Sequence, residues 1–255
     1  MGKKCVYIKE LEKGENFQQT KRAIFLVDFY NKSEKQIGIV GWQFISQPVF
    51  NKEGTKIAFI RDRRVVVYDT INDTEEIVYT AELRHDIPPP EDLCWHPDSK
   101  ELIFTNLGYI IFLNIHDRKT KEIHLKNIVH MSVSPDAKYL SYAKRDTKDP
   151  NDLKWRPYLY DIEKEKEISK ILPDTVGVNG ESYWNESSTN FRMTAFDIDH
   201  NGEIQNSQYC WFDLNLNKLK PVENPFTVMN QEMSPWKTTY KIDDNDEDVW
   251  HIVLD

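Results

Sequence analysis

Val133-Ser134-Pro135-Asp136-Ala137-Lys138-Tyr139-Leu140-Ser141-Tyr142 is the stretch that decides the fold. An apolar residue leads into a polar turn, and Pro followed by Asp inside that turn favours a tight reversal of the chain. Beyond the turn, Leu140 and Tyr142 are apolar at alternate positions. They share one face of a strand, because strand side chains alternate with period two. Working outward, the same frame recurs at Phe50, Trp95, Trp184 and Met233. Seven residues after the five anchors stand Ile57, Leu102, Leu140, Phe191 and Tyr240, and nine after stand Phe59, Phe104, Tyr142, Met193 and Ile242. The turns of two other copies read Asn51-Lys52-Glu53-Gly54 and His96-Pro97-Asp98-Ser99.

A second feature runs in phase with the first. Short apolar strands end on an acid or amide at Asp28, Asp69, Asn114, Asp161, Asp213 and Asp255, spaced about 41 to 52 residues apart. Each unit therefore reads strand, tight turn, strand, variable loop, strand, polar turn, strand. One such sheet has two apolar faces and is not stable alone; stacking around an axis buries both. The expected fold is all-β: a single β-propeller over residues 1–255, with six blades of four antiparallel strands, five blades being the alternative. The first unit lacks an anchor, and residues 4–10 are expected to add a strand to the terminal blade. Residues 163–171 are rich in helix-forming Glu and Lys, but they fall where other units turn and read as a turn into an outer strand.

The stretch 133–142 resembles the TolB-like (WD-like) propeller repeat, in which an aromatic-Ser-Pro-Asp-Gly-Lys segment precedes a strand. Trp95-His96-Pro97-Asp98-Ser99-Lys100 and the segment from Phe50 to Phe59 follow the pattern less closely, and Trp184-Asn185-Glu186-Ser187 and Met233-Ser234-Pro235-Trp236 have drifted from it. The resemblance implies the fold and no particular activity. Relatives include protein-docking propellers and the substrate-gating propellers of prolyl oligopeptidase-like enzymes. With no catalytic domain beside this repeat, the resemblance points to a docking module.

Composition narrows the partners. The 255 residues carry 12 Tyr, 12 Phe and 7 Trp, enough large side chains for a packed core despite 29% charged residues. A net charge of −9 argues against nucleic acid, whose phosphates need a concentrated basic face, and against anionic membranes. Cys5, Cys94 and Cys210 form neither a metal motif nor a disulfide framework, which fits a reducing compartment. No signal peptide or spanning segment is evident, and the chain reads as cytoplasmic. Gly-rich phosphate loops and Gly-x-Ser-x-Gly elbows are missing from the sequence.

Three loops and one set of histidines carry the candidate chemistry. Asp146, Asp149 and Asp152 lie in a long loop that ends on Trp155 and Arg156, residues with the character of interface anchors. Asp243, Asp244 and Asp246 lie in an acidic run of the sixth unit. Together these acids suit a basic protein or peptide partner. Asp197, Asp199 and Asn201 place oxygens at alternate positions before Gly202, as a calcium loop does, although Gln208 stands where a bidentate carboxylate is needed. The simpler reading of Asn201-Gly202 is a hairpin turn joining residues 192–197 to 209–214. His85 and His130 precede innermost strands; with Asp86, Glu91 or Asp92 they offer an acid–base or metal site at the axial channel. The leading expectation is a non-catalytic scaffold that binds protein or peptide through loops on one face. The alternative is a ligand binder, or an enzyme acting on a small molecule, carbohydrate or peptide, with its site in the channel.

Overall fold

The structure is a computed structural model that describes residues 4–12, 21–40, 48–61, 63–82, 90–145, 154–169, 176–198, 204–221, 236–242 and 248–254. Among them every regular element is a strand. β1 (Lys4–Glu12), β2 (Lys21–Asp28) and β3 (Ser33–Val40) form a three-stranded sheet. β4 (Val49–Phe50), β5 (Lys56–Arg61), β6 (Arg64–Asp69) and β7 (Thr74–Thr80) form a second sheet. β8 (Glu91–Trp95), β9 (Glu101–Asn106), β10 (Tyr109–Asn114) and β11 (Thr120–His124) form the third. β12 (Ile128–Val133), β13 (Tyr139–Arg145), β14 (Trp155–Asp161) and β15 (Lys166–Ile168) form the fourth. β16 (Val176–Trp184), β17 (Asn190–Ile198), β18 (Ile204–Asp213) and β19 (Lys218–Pro221) form the fifth, and β20 (Trp236–Ile242) pairs with β21 (Asp248–Leu254). Within each sheet neighbours are consecutive and antiparallel.

The apolar positions of the repeat explain the stacking. Ile57 and Phe59 on β5 pack with Ile24 and Leu26 of the first sheet, while Ala58 and Ile60 turn the other way towards Leu93 and Trp95 of the third. Ile103 on β9 meets Leu140 and Tyr142 of the fourth sheet, and Ala143 meets Phe191 and Met193 of the fifth. Each core thus lies between two sheets, and the residues seven and nine places past an anchor face the preceding one. Each such side chain, fully buried, contributes about 1.5–3 kcal/mol. Two anchor tryptophans also stitch innermost strands together. Trp95 donates its indole N–H to the Val49 carbonyl at 3.0 Å, and Trp184 donates to Ser132 at 3.3 Å. This is the blade arrangement of a propeller.

Among the described residues, the acid or amide that ends a third strand is a turn cap, while Asp255 lies outside them. Asp69 Oδ1 accepts the backbone N–H groups of Ile71 and Asn72, both at 2.9 Å; Asp28 does the same for Tyr30 and Asn31, and Asp213 for Asn215 and Asn217. Asn114 manages it as an amide, accepting from His116 at 2.9 Å. A side-chain oxygen at this point satisfies amides that the ladder has left behind. The residue after each anchor closes the other tight turn: Asn51 Oδ1 accepts from Lys56 N–H at 2.8 Å, and Ser134 Oγ from Tyr139 N–H at 2.9 Å.

One expectation is corrected. Among the described residues, 4–10 do not join the terminal sheet; they pair with β2, with Lys4 opposite Asp28 and Tyr7 opposite Phe25. The Tyr7 ring stacks on Phe25 at 5.5 Å, while Val6 and Ile8 reach the apolar cluster between the first two sheets. The reading of residues 163–171 holds over the described residues 163–169: Asp161 caps the turn through Lys164 N–H at 2.9 Å, and β15 follows.

Candidate functional site

Antiparallel pairing throughout each sheet assigns every connection to one end of the strands or the other, although at the second end the β5–β6 and β9–β10 connections are only two residues long. Turns from first to second strand and from third to fourth emerge at one end of the strands. These are the short capped turns at residues 51–55, 96–100, 134–138 and 185–189, with their third-to-fourth counterparts. Connections from second to third strand, and from one sheet to the next, emerge at the other end. All the connections the sequence singled out belong there by chain order. Asp146, Asp149 and Asp152 lie between β13 and β14, Asp199 and Asn201 between β17 and β18, and Asp243, Asp244 and Asp246 between β20 and β21; all eight lie outside the described residues.

Trp155 and Arg156 stand where that end meets the fourth sheet. Trp155 opens β14 opposite Arg145, half-buried against the cluster shared by the fourth and fifth sheets; Arg156 sits opposite Lys144, also half-buried. Asp197 is a ladder residue of β17, paired with Gln205 and Val176, and its Oδ1 lies 3.9 Å from Lys218 Nζ. Ile198 faces Ile204 across the hairpin, and the Asn201-Gly202 turn itself lies outside the described residues.

The starts of the innermost strands, where the channel site was expected, are better described. At the same step of two adjacent innermost strands, three residues before the anchor, stand Asp92 on β8 and His130 on β12. Both strands carry a bulge there, as the register jumps between Glu91 and Cys94 and between Val129 and Ser132 show. An extra residue on one strand bends it and re-aims its side chains. Asp92 (φ 51°) and His130 (φ 60°) both adopt the left-handed backbone conformation, which is costly without glycine. The Asp92 carboxylate accepts the His130 backbone N–H at 2.8 Å and ties the two bulges together. Glu91 is next to them, half-buried. Burial pushes its carboxyl up, the Asp92 charge adds to that, and His130 opposes it. Burial likewise pushes the nearby Cys94 thiol up to about 12, which leaves it protonated and inert at neutral pH. Glu181 holds the same register step in β16. So the structure brings together Glu91, Asp92 and His130, while His85 and Asp86 lie outside the described residues. Among the described residues no group of His, Cys, Asp and Glu is placed to hold a metal ion.

Sequence reasoning missed the aromatic box around Arg192 on β17. Its guanidinium lies 5.0 Å from the Tyr183 ring centroid, 5.5 Å from Tyr209 and 5.9 Å from Trp211. The available signal was the alternation of Tyr209 and Trp211; in the strand ladder Trp211 lies opposite Arg192 and Tyr209 opposite Thr194.

The sequence matches no protein-family model, and no curated protein matches it. Solved structures do. TolB from Acinetobacter baumannii superposes with a TM-score of 0.56 at 17% identity, over 79% of this chain and 49% of that one. The β-propeller domain of the Trilobed protease from Pyrococcus furiosus, described as having an open velcro topology, gives 0.57 at 14% identity over 95% and 73%. The fold is that of a TolB-like β-propeller. An oligogalacturonate lyase in complex with manganese gives 0.57 at 14% identity, over 81% of this chain and 61% of that one. The TolB-like fold is thus shared with enzymes as well as with TolB itself, and this chain spans about half the length of the TolB structure it matches.

Proposed function

We propose that this TolB-like propeller is a non-catalytic docking module that binds a protein or peptide through the connections at one end of its strands. The observation that supports this most directly is the sorting of connections: capped turns close one end, and the long, acid-rich segments all belong to the other. Trp155 and Arg156, at the root of one long connection, are the anchors of this reading. Asp146, Asp149, Asp152, Asp243, Asp244 and Asp246 steer a basic partner, whose association weakens as salt rises. Three free cysteines agree with a cytoplasmic setting. The test is affinity capture from the native lysate with the intact chain and with a W155A/R156A double variant of matched stability. A protein held by the first and released by the second supports the module; equal capture by both removes these anchors.

A second reading rests on the axial mouth. Glu91, Asp92 and His130 supply acid, base and hydrogen-bonding groups on a strained backbone, an arrangement suited to a small polar ligand. Thermal-shift screening of sugars and short peptides against the wild type and His130→Ala tests it. Shifts that vanish in the variant favour a ligand site, and no shift with any compound counts against one.

A further inference from the structure

Successive sheets cover one another through one repeated step. Seven places past the anchor, a residue pairs with the one just before the cap: Ile57 with Tyr68, Leu102 with Leu113, Leu140 with Tyr160 and Phe191 with Phe212. All eight are buried, and each pair faces the sheet before it. The eighth residue turns the other way and meets the sheet that follows. Ala58 clusters with Leu102, Ile103 with Leu140, and Ser141 Oγ lies 2.6 Å from Ser182 Oγ on β16.

The fifth sheet puts Arg192 at this eighth place, inside its box of Tyr183, Tyr209 and Trp211. The Arg192 Nε is buried and, among the described residues, has no hydrogen-bond acceptor. The sheet next in chain order, β20–β21, repeats the common register. Trp236 pairs with Leu254, one place before Asp255, the last of the strand-ending acids. The ladder thus puts Trp236, rather than Tyr240, at the seventh place, and the frame of this unit starts four residues earlier than Met233, at Met229. By period-two alternation Trp236, Thr238 and Tyr240, with Leu254, Ile252 and Trp250 opposite them, stand on one face of the hairpin. That face carries no charge, and a Trp ring is the best cation–π acceptor among side chains.

We infer that the Arg192 face of the fifth sheet is the seat of the chain's own hairpin β20–β21, and that Trp236 completes the box as a fourth ring on the guanidinium. Three observations select this hairpin over a second protein. It follows in chain order, as the covering sheet does at each of the four earlier junctions. Its pairing register matches theirs, and its Trp stands at the step that meets the eighth residue of the sheet before. A guanidinium offers flat faces to aromatic rings, so it holds such a junction without an ion pair. The closing junction is therefore keyed to a cation, where Ala58, Ile103 and Ser141 serve the earlier ones. The seat also decides where the connection that carries Asp243, Asp244 and Asp246 is presented, yet it does not depend on the docking reading above.

The test is disulfide trapping in the full chain. At the junction before, Ala143 in the tenth place packs with Met193 in the ninth. By the same step Thr194 on β17 meets Thr238 on β20. Under mild oxidant, Thr194→Cys with Thr238→Cys cross-links within one chain at least about tenfold faster than Thr194→Cys with Thr239→Cys, whose second thiol stands on the opposite face of the hairpin. The single Thr194→Cys variant, with the native thiols in place, is the blank. In the first pair, Arg192→Met or Trp236→Leu slows trapping about three- to tenfold, while Arg192→Lys and Trp236→Phe, which keep the cation and the ring, slow it less. Amide exchange in β5, β9 and β13, unchanged across the set, separates loss of the seat from loss of the fold. Equal trapping of the two cysteine pairs, or of neither, would put the hairpin elsewhere. A cross-link between chains would give the seat to a second copy, and trapping indifferent to Arg192 and Trp236 would remove their contact. Each of these results overturns the inference.

Discussion

The left-handed residues of the tight turns show how much strain a single position holds. The fourth residue past the anchor has φ 68° at Gly54, 59° at Ser99, 61° at Ala137 and 57° at Ser188, so one repeat uses glycine where three do not. A non-glycine residue there costs about 1–2 kcal/mol, part of which glycine returns as unfolded-state entropy. Ala137→Gly should therefore stabilise the protein by about 0.5–1 kcal/mol, read as a higher urea midpoint; an unchanged or lower midpoint would sink the argument. The cap residues carry a pH signature. Two backbone N–H donors from Asn72 and Ile71, with Lys56 nearby, hold the Asp69 carboxyl down at about 2. Since its folded pKa lies below its unfolded one, its contribution is complete above about pH 4 and is lost as pH falls through about 2. Asp69→Ala should cost about 1 kcal/mol at pH 7. Asp69→Asn keeps the acceptor, as Asn114 does naturally, and should cost less while flattening the loss of stability between about pH 4 and pH 2. Acid titrations of the two variants that run parallel to the wild type would show that the cap does not couple to folding.

At the scale of strands, close approach sets the limits. Gly177 on β16 lies opposite Phe196, and a Cβ there would stand 2.5 Å from the ring. The ring is nearly fully buried, so it cannot swing aside freely. Gly177→Ala is expected to destabilise by about 1–3 kcal/mol, measured by thermal unfolding, and Phe196→Leu in the same chain should recover part of the loss. Most strands were legible beforehand because period-two alternation and turn chemistry are local signals: Ile57, Phe59, Leu102 and Phe104 were placed on strands by spacing alone, and all four are fully buried there. The pairing of β1 was not legible, because a strand's partner depends on tertiary packing such as Tyr7 on Phe25 rather than on its own sequence. The bulges at Asp92 and His130 were hidden for a related reason. Neither residue is glycine, so nothing in their identity announces a positive φ, although their positions beside innermost strands had marked them as candidates.

Over the whole molecule, stability is distributed between neighbouring sheets rather than within any one. The four apolar clusters lie between sheets one and two, two and three, three and four, and four and five. Ion pairs repeat the pattern outside the core: Lys35 meets Asp73, Arg118 meets Glu76 and Lys121 meets Glu165, each across one junction. Exposed pairs of this kind add little, about 0–1 kcal/mol each, so the apolar junctions decide the outcome. Among the described residues the first junction is the least enclosed of this series, since β1 is only half-buried while the second-strand residues of the next three sheets are largely buried. Phe59 fills that junction and is fully buried. Phe59→Ala should remove about 3–5 kcal/mol of local packing, and the loss should stay local. Amide protection in β1, β2 and β3 should collapse, while β9, β13 and β17 keep most of theirs. The converse substitution, Phe104→Ala at the second junction, should loosen both flanking sheets. A uniform fall in protection across all strands in the Phe59 variant would mean that the ring unfolds as one unit, and that its junctions are not separable in energy.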